Sequence, residues 1–281
     1  MTNTIRLSRN DLNLILLLSL SQSTLVQSIL SLLPLAPVSD ACPIVSEGRR
    51  FRFVAAHHVI LCIISQVIEI LGGHTESKGD DEGIYMGARS FGKATSAIAK
   101  IKEIHPAADL HVLLMDNKSL ESVMMAVKTF KFKEAKLHGL ILNARIMAAP
   151  FEVTKDGFES QIQTNYLTHW LLANHLSTVL LTTALADGSG SARIIVVSSE
   201  GHHVFGVKKT LYSDEEVKNF GSFSRCGPSK LANVLHAKTL IDQFGPDSSS
   251  AKEGTGEIWT ANLYHGLIDT QLNVKNKEMA S

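Results

Sequence analysis

Residues 192–199 read ARIIVVSS: a short apolar run, rich in β-branched residues, that stops on two serines. Its length suits a strand. Its lack of alternation suits a strand covered on both faces, as in a parallel sheet flanked by helices. Working outward, apolar runs over 84–88, 110–115, 137–142 and 258–263 have the same character. Between them, helical spacing predicts helices over 91–104, 119–130, 157–181 and 229–244. Strand-helix alternation of this kind implies a parallel, doubly wound α/β sheet over residues 84–281.

Composition narrows the function classes. The 281 residues carry 27 Lys+Arg against 27 Asp+Glu, so the clustered basic excess of a nucleic-acid binder is absent and no nucleic-acid partner is expected. Three cysteines, Cys42, Cys62 and Cys226, cannot make a disulfide framework, and no CxxC or Cys/His spacing suggests a metal. A reducing intracellular setting, cytoplasmic or membrane-associated, is the expectation. The adjacent pairs His57/His58 and His202/His203 lack the i, i+4 spacing of a helical metal site.

Residues 1–83 are dissimilar, with 6 Lys+Arg and 8 Asp+Glu against 21 and 19 in the rest. They read as an atypical N-terminal segment. Residues 12–39 carry no charge but are interrupted by serines, Asn13, Gln22 and Gln27, and Pro34 and Pro37 follow. The stretch reads as an amphipathic or poorly ordered leader; a segment that spans or anchors to a membrane is the alternative. Residues 54–71 (VAAHHVILCIISQVIEIL) read as a remnant first strand and helix, and the acidic, glycine-containing 72–83 as a solvated loop.

In doubly wound sheets ligands bind beyond the carboxyl ends of the strands. The residues there are Arg89, Asp116, Asn143 with Arg145, Ser198 with Ser199, and His265 with Gly266. Seven ordered pieces pass through or beside these ends: GARS (87–90), LLMD (113–116), LHGLILNARIMAAP (137–150), FESQIQTNYLTHWLL (158–172), ARIIVVSSEGHH (192–203), CGPSKLANVLHAKTL (226–240) and LYHGLIDTQL (263–272). Together they resemble the short-chain dehydrogenase/reductase family, in particular its retinol-dehydrogenase-like branch, over about two thirds of the chain.

The resemblance implies a Rossmann-like fold, hydride transfer between a nicotinamide and a carbonyl or alcohol, a small-molecule substrate, and a homo-oligomer. It assigns the substrate-binding serine to Ser199, the proton-relay asparagine to Asn165 and the ribose-holding lysine to Lys230. The tyrosine position, four residues before the lysine, holds Cys226. A thiol beside Lys230 would tend toward thiolate, a poor proton donor; the favoured reading of Cys226 is an inert small residue on a partly buried helix, with a catalytic thiol as the alternative. Arg89 implies NADP through the adenosine 2′-phosphate, with a solvated surface cation as the alternative. Asp116 implies an adenine contact, or else a helix cap. Asn143 implies a nucleotide contact, or else a strand-end turn. Thr270 implies a contact near the nicotinamide carboxamide, or else an ordinary loop hydroxyl.

Three further departures accompany Cys226. No GxxxGxG phosphate turn occurs, and the corresponding place reads CIISQ (62–66); the family's Asn-Ala-Gly is Asn143-Ala144-Arg145; and His265-Gly266 replaces Pro-Gly. The implied function is an NADP(H)-dependent short-chain oxidoreductase interconverting a small lipophilic alcohol and its ketone or aldehyde, impaired in this chain. The alternative is an inactive relative serving as a scaffold or weak nucleotide binder. Trp170, Leu171 and Leu172 read as core packing, and Lys128, Lys131, Lys133 and Lys136 as a solvated helix end.

Overall fold

The computed structural model describes residues 15–19, 83–204 and 213–263. Its centre is a six-stranded sheet of order β3-β2-β1-β4-β5-β6. The strands are β1 (Ile15–Ser19), β2 (Gly83–Ala88), β3 (Leu110–Leu114), β4 (Gly139–Leu142), β5 (Arg193–Val197) and β6 (Trp259–Leu263). Strands β2 and β3 pair in parallel, as do β4, β5 and β6. Every residue of β2, β4 and β5 is buried, which is why their sequences run apolar without alternation.

The helices follow from caps and apolar spacing. Helix α1 (Phe91–Ile104) starts where the Ser90 side chain accepts from Lys93 N, and it buries Ala94, Ala97 and Ile101. Helix α2 (Leu120–Lys133) starts at Ser119 and buries Val123, Ala126, Val127 and Phe130. The Phe130 ring meets Tyr85 of β2 edge-on, with centroids 5.2 Å apart. Lys128, Lys131, Lys133 and Lys136 are exposed, as their sequence suggests.

The long helix differs from its predicted bounds of 157–181. It comprises α3 (Ser160–Ile162), a π-helical turn (Gln163–Leu167) and α4 (Thr168–Asp187). Gly157 has φ +84°, outside helical space, so the start falls to Glu159, whose carboxylate accepts from Gln161 N and Ile162 N. The predicted core role of Trp170 is also corrected: its side chain is 44% exposed, while Leu172 is fully buried. Two residues are about 200° apart on a helix, so the two cannot share a face.

Two short helices, α5 (Gly201–Val204) and α6 (Asp214–Lys218), precede α7 (Cys226–Phe244), and α8 (Ser249–Lys252) precedes β6. Helix α7 begins three residues before its predicted start. Pro228 lies in the first turn, where its missing N–H leaves no helical bond unmade.

The expectation for residues 12–39 is modified in part, because Ile15–Ser19 forms β1 at the centre of the sheet. This strand is antiparallel to both neighbours, pairing Ile15 with Gly87 and Leu142. The sheet is therefore parallel except at β1. The rest of 12–39, the predicted strand and helix over 54–71, and Thr270, His265 and Gly266 lie outside the described residues. Among the described residues no helix is long and apolar enough to cross a membrane.

Candidate active site

The carboxyl ends of β2 through β6 share one edge of the sheet, and α7 starts beside it. Cys226 and Lys230 are one helical turn apart, on the buried face of α7. Lys230 Nζ donates to the Val197 carbonyl at 3.1 Å, and the Ser198 hydroxyl donates to the Lys230 carbonyl at 2.8 Å. The end of β5 and the first turns of α7 are thus joined twice. Asn233, one turn beyond Lys230, adds Nδ2 bonds to the carbonyls of Val197 (3.3 Å) and Asn165 (3.0 Å).

Asn165 is fully buried in the π-helical turn. Its Oδ1 accepts from Ile146 N at 2.8 Å, and its Nδ2 donates to Ile146 O at 3.0 Å and Ser229 Oγ at 3.1 Å. A π turn inserts one extra residue and re-aims side chains off the regular helical rows. Here that places one carboxamide between the loop leaving β4 and the start of α7.

Electrostatics at this corner are set by burial. Desolvation lowers the Lys230 pKa to about 7, with Arg145 lowering it further and Cys226 opposing. Burial pushes the Cys226 thiol up, more than Lys230 and Arg145 pull it down. The balance favours the neutral thiol over the thiolate, and its Sγ lies 3.0 Å from Phe223 O. Arg145 is partly buried, and desolvation lowers its pKa while Cys226 opposes the change. Burial also raises the pKa of the nearby Glu159, which pushes the Cys226 thiol up and whose Oε1 makes no hydrogen bond among the described residues. Its Oε2 caps α3, and its Oε1 lies 3.8 Å from Arg225 Nε.

The other predicted residues occupy neighbouring positions. Ser199 is half-buried next to Ser198, with its Oγ accepting from Gly201 N at 3.2 Å. Asn143 is the half-buried first residue after β4, and Arg89 the exposed first residue after β2. Asp116 follows β3, and its Oδ1 accepts from Lys118 N at 3.0 Å. The alternative of Asp116 as helix cap is corrected, because Ser119 caps α2. The structure thus joins Asn165, Cys226 and Lys230 beside Ser199, with Asn143 adjacent along the sheet and Arg89 and Asp116 on the far half. Among the described residues no cluster of metal-ligating side chains occurs.

Sequence reasoning missed Asn233 and the effect of Arg145, which lowers the Lys230 pKa. Asn233 stood i+3 from Lys230 in SKLAN, which was a usable signal. The effect of Arg145 depends on the loop after β4 and has no local signature.

A dinucleotide fits this edge on its ribose side. Lys230 has donors beyond its bond to the Val197 carbonyl, and no carboxylate engages it among the described residues. On the pyrophosphate side the central strand differs from the usual plan. Because β1 is antiparallel, its carboxyl end points to the opposite edge of the sheet from those of its neighbours.

No family model matches the chain. The short-chain dehydrogenase/reductase drtF of Aspergillus calidoustus is 47% identical over 208 residues, covering 72% of this chain and 65% of that protein. An uncharacterized oxidoreductase of Schizosaccharomyces pombe is 33% identical over 194 residues, covering 67% of this chain and 54% of that one. The chain thus spans less than two thirds of the length of these relatives. Among solved structures, a putative uncharacterized protein from Mycobacterium paratuberculosis matches with 26% identity and a TM-score of 0.46, over 68% of this chain and 61% of that one.

Proposed function

The chain belongs to the short-chain dehydrogenase/reductase family, and on that premise we propose that it is an NADP(H)-dependent oxidoreductase interconverting a small lipophilic alcohol and its ketone or aldehyde. The observation that carries this reading is Lys230. It is a buried ammonium held on the Val197 carbonyl at 3.1 Å, at the strand edge where such sheets bind ligands. Arg89 supports NADP over NAD, and Asp116 and Asn143 would take further cofactor contacts, as would Thr270, which lies outside the described residues.

A nicotinamide held there would supply or accept the hydride. The Ser199 hydroxyl, accepting from Gly201 N, keeps its hydrogen for the substrate oxygen. With a pKa near 7, Lys230 exchanges between ammonium and amine at working pH, so it delivers and takes up the proton. Asn165 holds the loop after β4 and the first turns of α7 in register around that group. The Cys226 thiol is neutral and bonded toward Phe223, so it contributes no proton, and turnover is slow.

Calorimetric titration of the purified chain with NADPH tests the reading, run beside Cys226→Tyr with a panel of small ketones and aldehydes. Saturable NADPH binding, with faster turnover in Cys226→Tyr, is the expected result. Absence of NADPH binding in both proteins overturns it.

A further inference from the structure

We propose that the outward ridge of α2, with the adjoining surface of α4, docks this protein onto an anionic lipid bilayer. The inference is independent of the oxidoreductase reading. The ring of Phe132 is 93% exposed in the last turn of α2, and Met125, two turns before it, is 55% exposed. At about 100° per residue, Met125, Lys128 and Phe132 fall within about 60° of one another. They stand opposite the buried stripe of Val123, Ala126, Val127 and Phe130. One exposed apolar side chain is ordinary. Two on one ridge, interleaved with lysines, make the pattern of a helix lying in the plane of a membrane interface.

The charge around the ridge is cationic. Lys128 and Lys133 are exposed and make no ion pair among the described residues, and Lys131 bonds the neutral Thr178 hydroxyl at 3.3 Å. Lys136 is matched by Asp187 at 2.7 Å and Glu121 by Lys155 at 3.1 Å. Glu134 is turned toward β2, where it accepts from the Tyr85 hydroxyl. The bonds of Lys131 and Lys136 also set α4 beside α2. From Thr168 to Ala186, α4 carries no Asp, Glu, Lys or Arg. Its outward row of Thr178, Thr182 and Leu185 is exposed, so it adds no negative charge to repel an anionic surface.

The choice of cation favours lipid over other polyanions. Residues 120–136 hold four lysines and no arginine. An ammonium on a flexible stem suits a diffuse plane of headgroups, whereas fixed phosphates or carboxylates suit the arginine fork. The Phe132 ring, at the crest, then leaves water for the acyl boundary.

The test is co-sedimentation of the full chain with vesicles of phosphatidylcholine alone, and of equal parts phosphatidylcholine and phosphatidylserine, at low and high salt. Wild type is expected to pellet with the anionic vesicles, to leave the neutral ones largely unbound, and to be released by salt. Lys128→Gln with Lys133→Gln weakens the partition by about fivefold per lysine. Phe132→Ser weakens it by about tenfold or more. All three side chains are exposed, so these variants keep the wild-type urea midpoint. In Phe132→Trp, anionic vesicles shift indole emission to the blue by more than in wild type, where Trp170 and Trp259 supply the background.

Partition that is equal in wild type and the substituted proteins places the binding elsewhere in the chain and overturns the proposal, as does no partition at all. Poly-glutamate bound as tightly as the vesicles, without the blue shift, gives the ridge to an acidic protein. Self-association that Phe132→Ser abolishes gives it to a second copy. Either result also overturns the proposal.

Discussion

The Asn165 carboxamide closes on Ile146 at both backbone groups, accepting from its N–H at 2.8 Å and donating to its carbonyl at 3.0 Å. The same nitrogen reaches Ser229 Oγ at 3.1 Å, so one side chain joins the exit loop of β4, the π turn and the first turns of α7. Replacing Asn165 by Leu leaves the Ile146 groups without their partner. The expected loss is about 1–3 kcal/mol of stability. Urea denaturation reads it as a lower midpoint at unchanged slope.

Lys230 gives the fold a pH dependence of definite sign. Its pKa is lowered in the folded chain to about 7, so between pH 7 and the usual lysine range the unfolded chain holds the extra proton. Stability contributed by this group rises with pH across that window, with a slope up to about 1.4 kcal/mol per pH unit. Denaturation from pH 6 to 10 shows the slope in wild type, and Lys230→Met loses it. Equal slopes in the two proteins contradict the assignment.

His169 lies wholly buried in α4, and neither ring nitrogen has a hydrogen-bond partner among the described residues. Burial lowers its pKa well below the usual value, and Lys230 and His236 lower it further. The folded chain therefore resists protonating this ring, and stability falls as pH drops below the ordinary histidine range. His169→Leu removes that acid sensitivity and raises stability at pH 6 by about 1–2 kcal/mol. Thermal melts at pH 8 and pH 6 provide the comparison.

Asp187 ends α4 and ties it to the start of β4. Its carboxylate receives Lys136 Nζ at 2.7 Å and His138 Nε2 at 2.8 Å. Burial pushes the carboxyl up, but the bonds from Lys136 and His138 outweigh it and hold the pKa below the ordinary value. The contribution is full above the usual aspartate range and is lost as pH falls through the lowered value. Asp187→Ala costs about 1–3 kcal/mol at pH 7, because it leaves His138 buried without this partner. The difference from wild type shrinks toward pH 3.

Much of the sheet was legible because β2, β4 and β5 carry their burial in sequence: apolar runs covered on both faces, ending on polar residues. Helix α1 was legible through its cap and its Ala94, Ala97 and Ile101 stripe. Position β1 was not, since Ile15–Ser19 resembles any short apolar run and its antiparallel pairing depends on partners more than sixty residues away. At the site, Lys230 and Asn165 were visible through their motifs. The state of Cys226 was not, because sequence shows a neighbouring ammonium but not the burial that outweighs it. The influence of Arg145 on Lys230 likewise depends on the loop after β4, which Asn165 holds at Ile146.

The central claim is that Lys230 moves the proton in an NADP(H)-dependent carbonyl reduction without the tyrosine. The most direct measurement is the pH profile of NADPH oxidation by the wild-type chain with small lipophilic aldehydes and ketones, beside Lys230→Ala. The account predicts slow turnover that depends on a single group titrating near pH 7 and disappears in Lys230→Ala. No NADPH oxidation by wild type at any pH, or an unchanged rate and profile in Lys230→Ala, contradicts it.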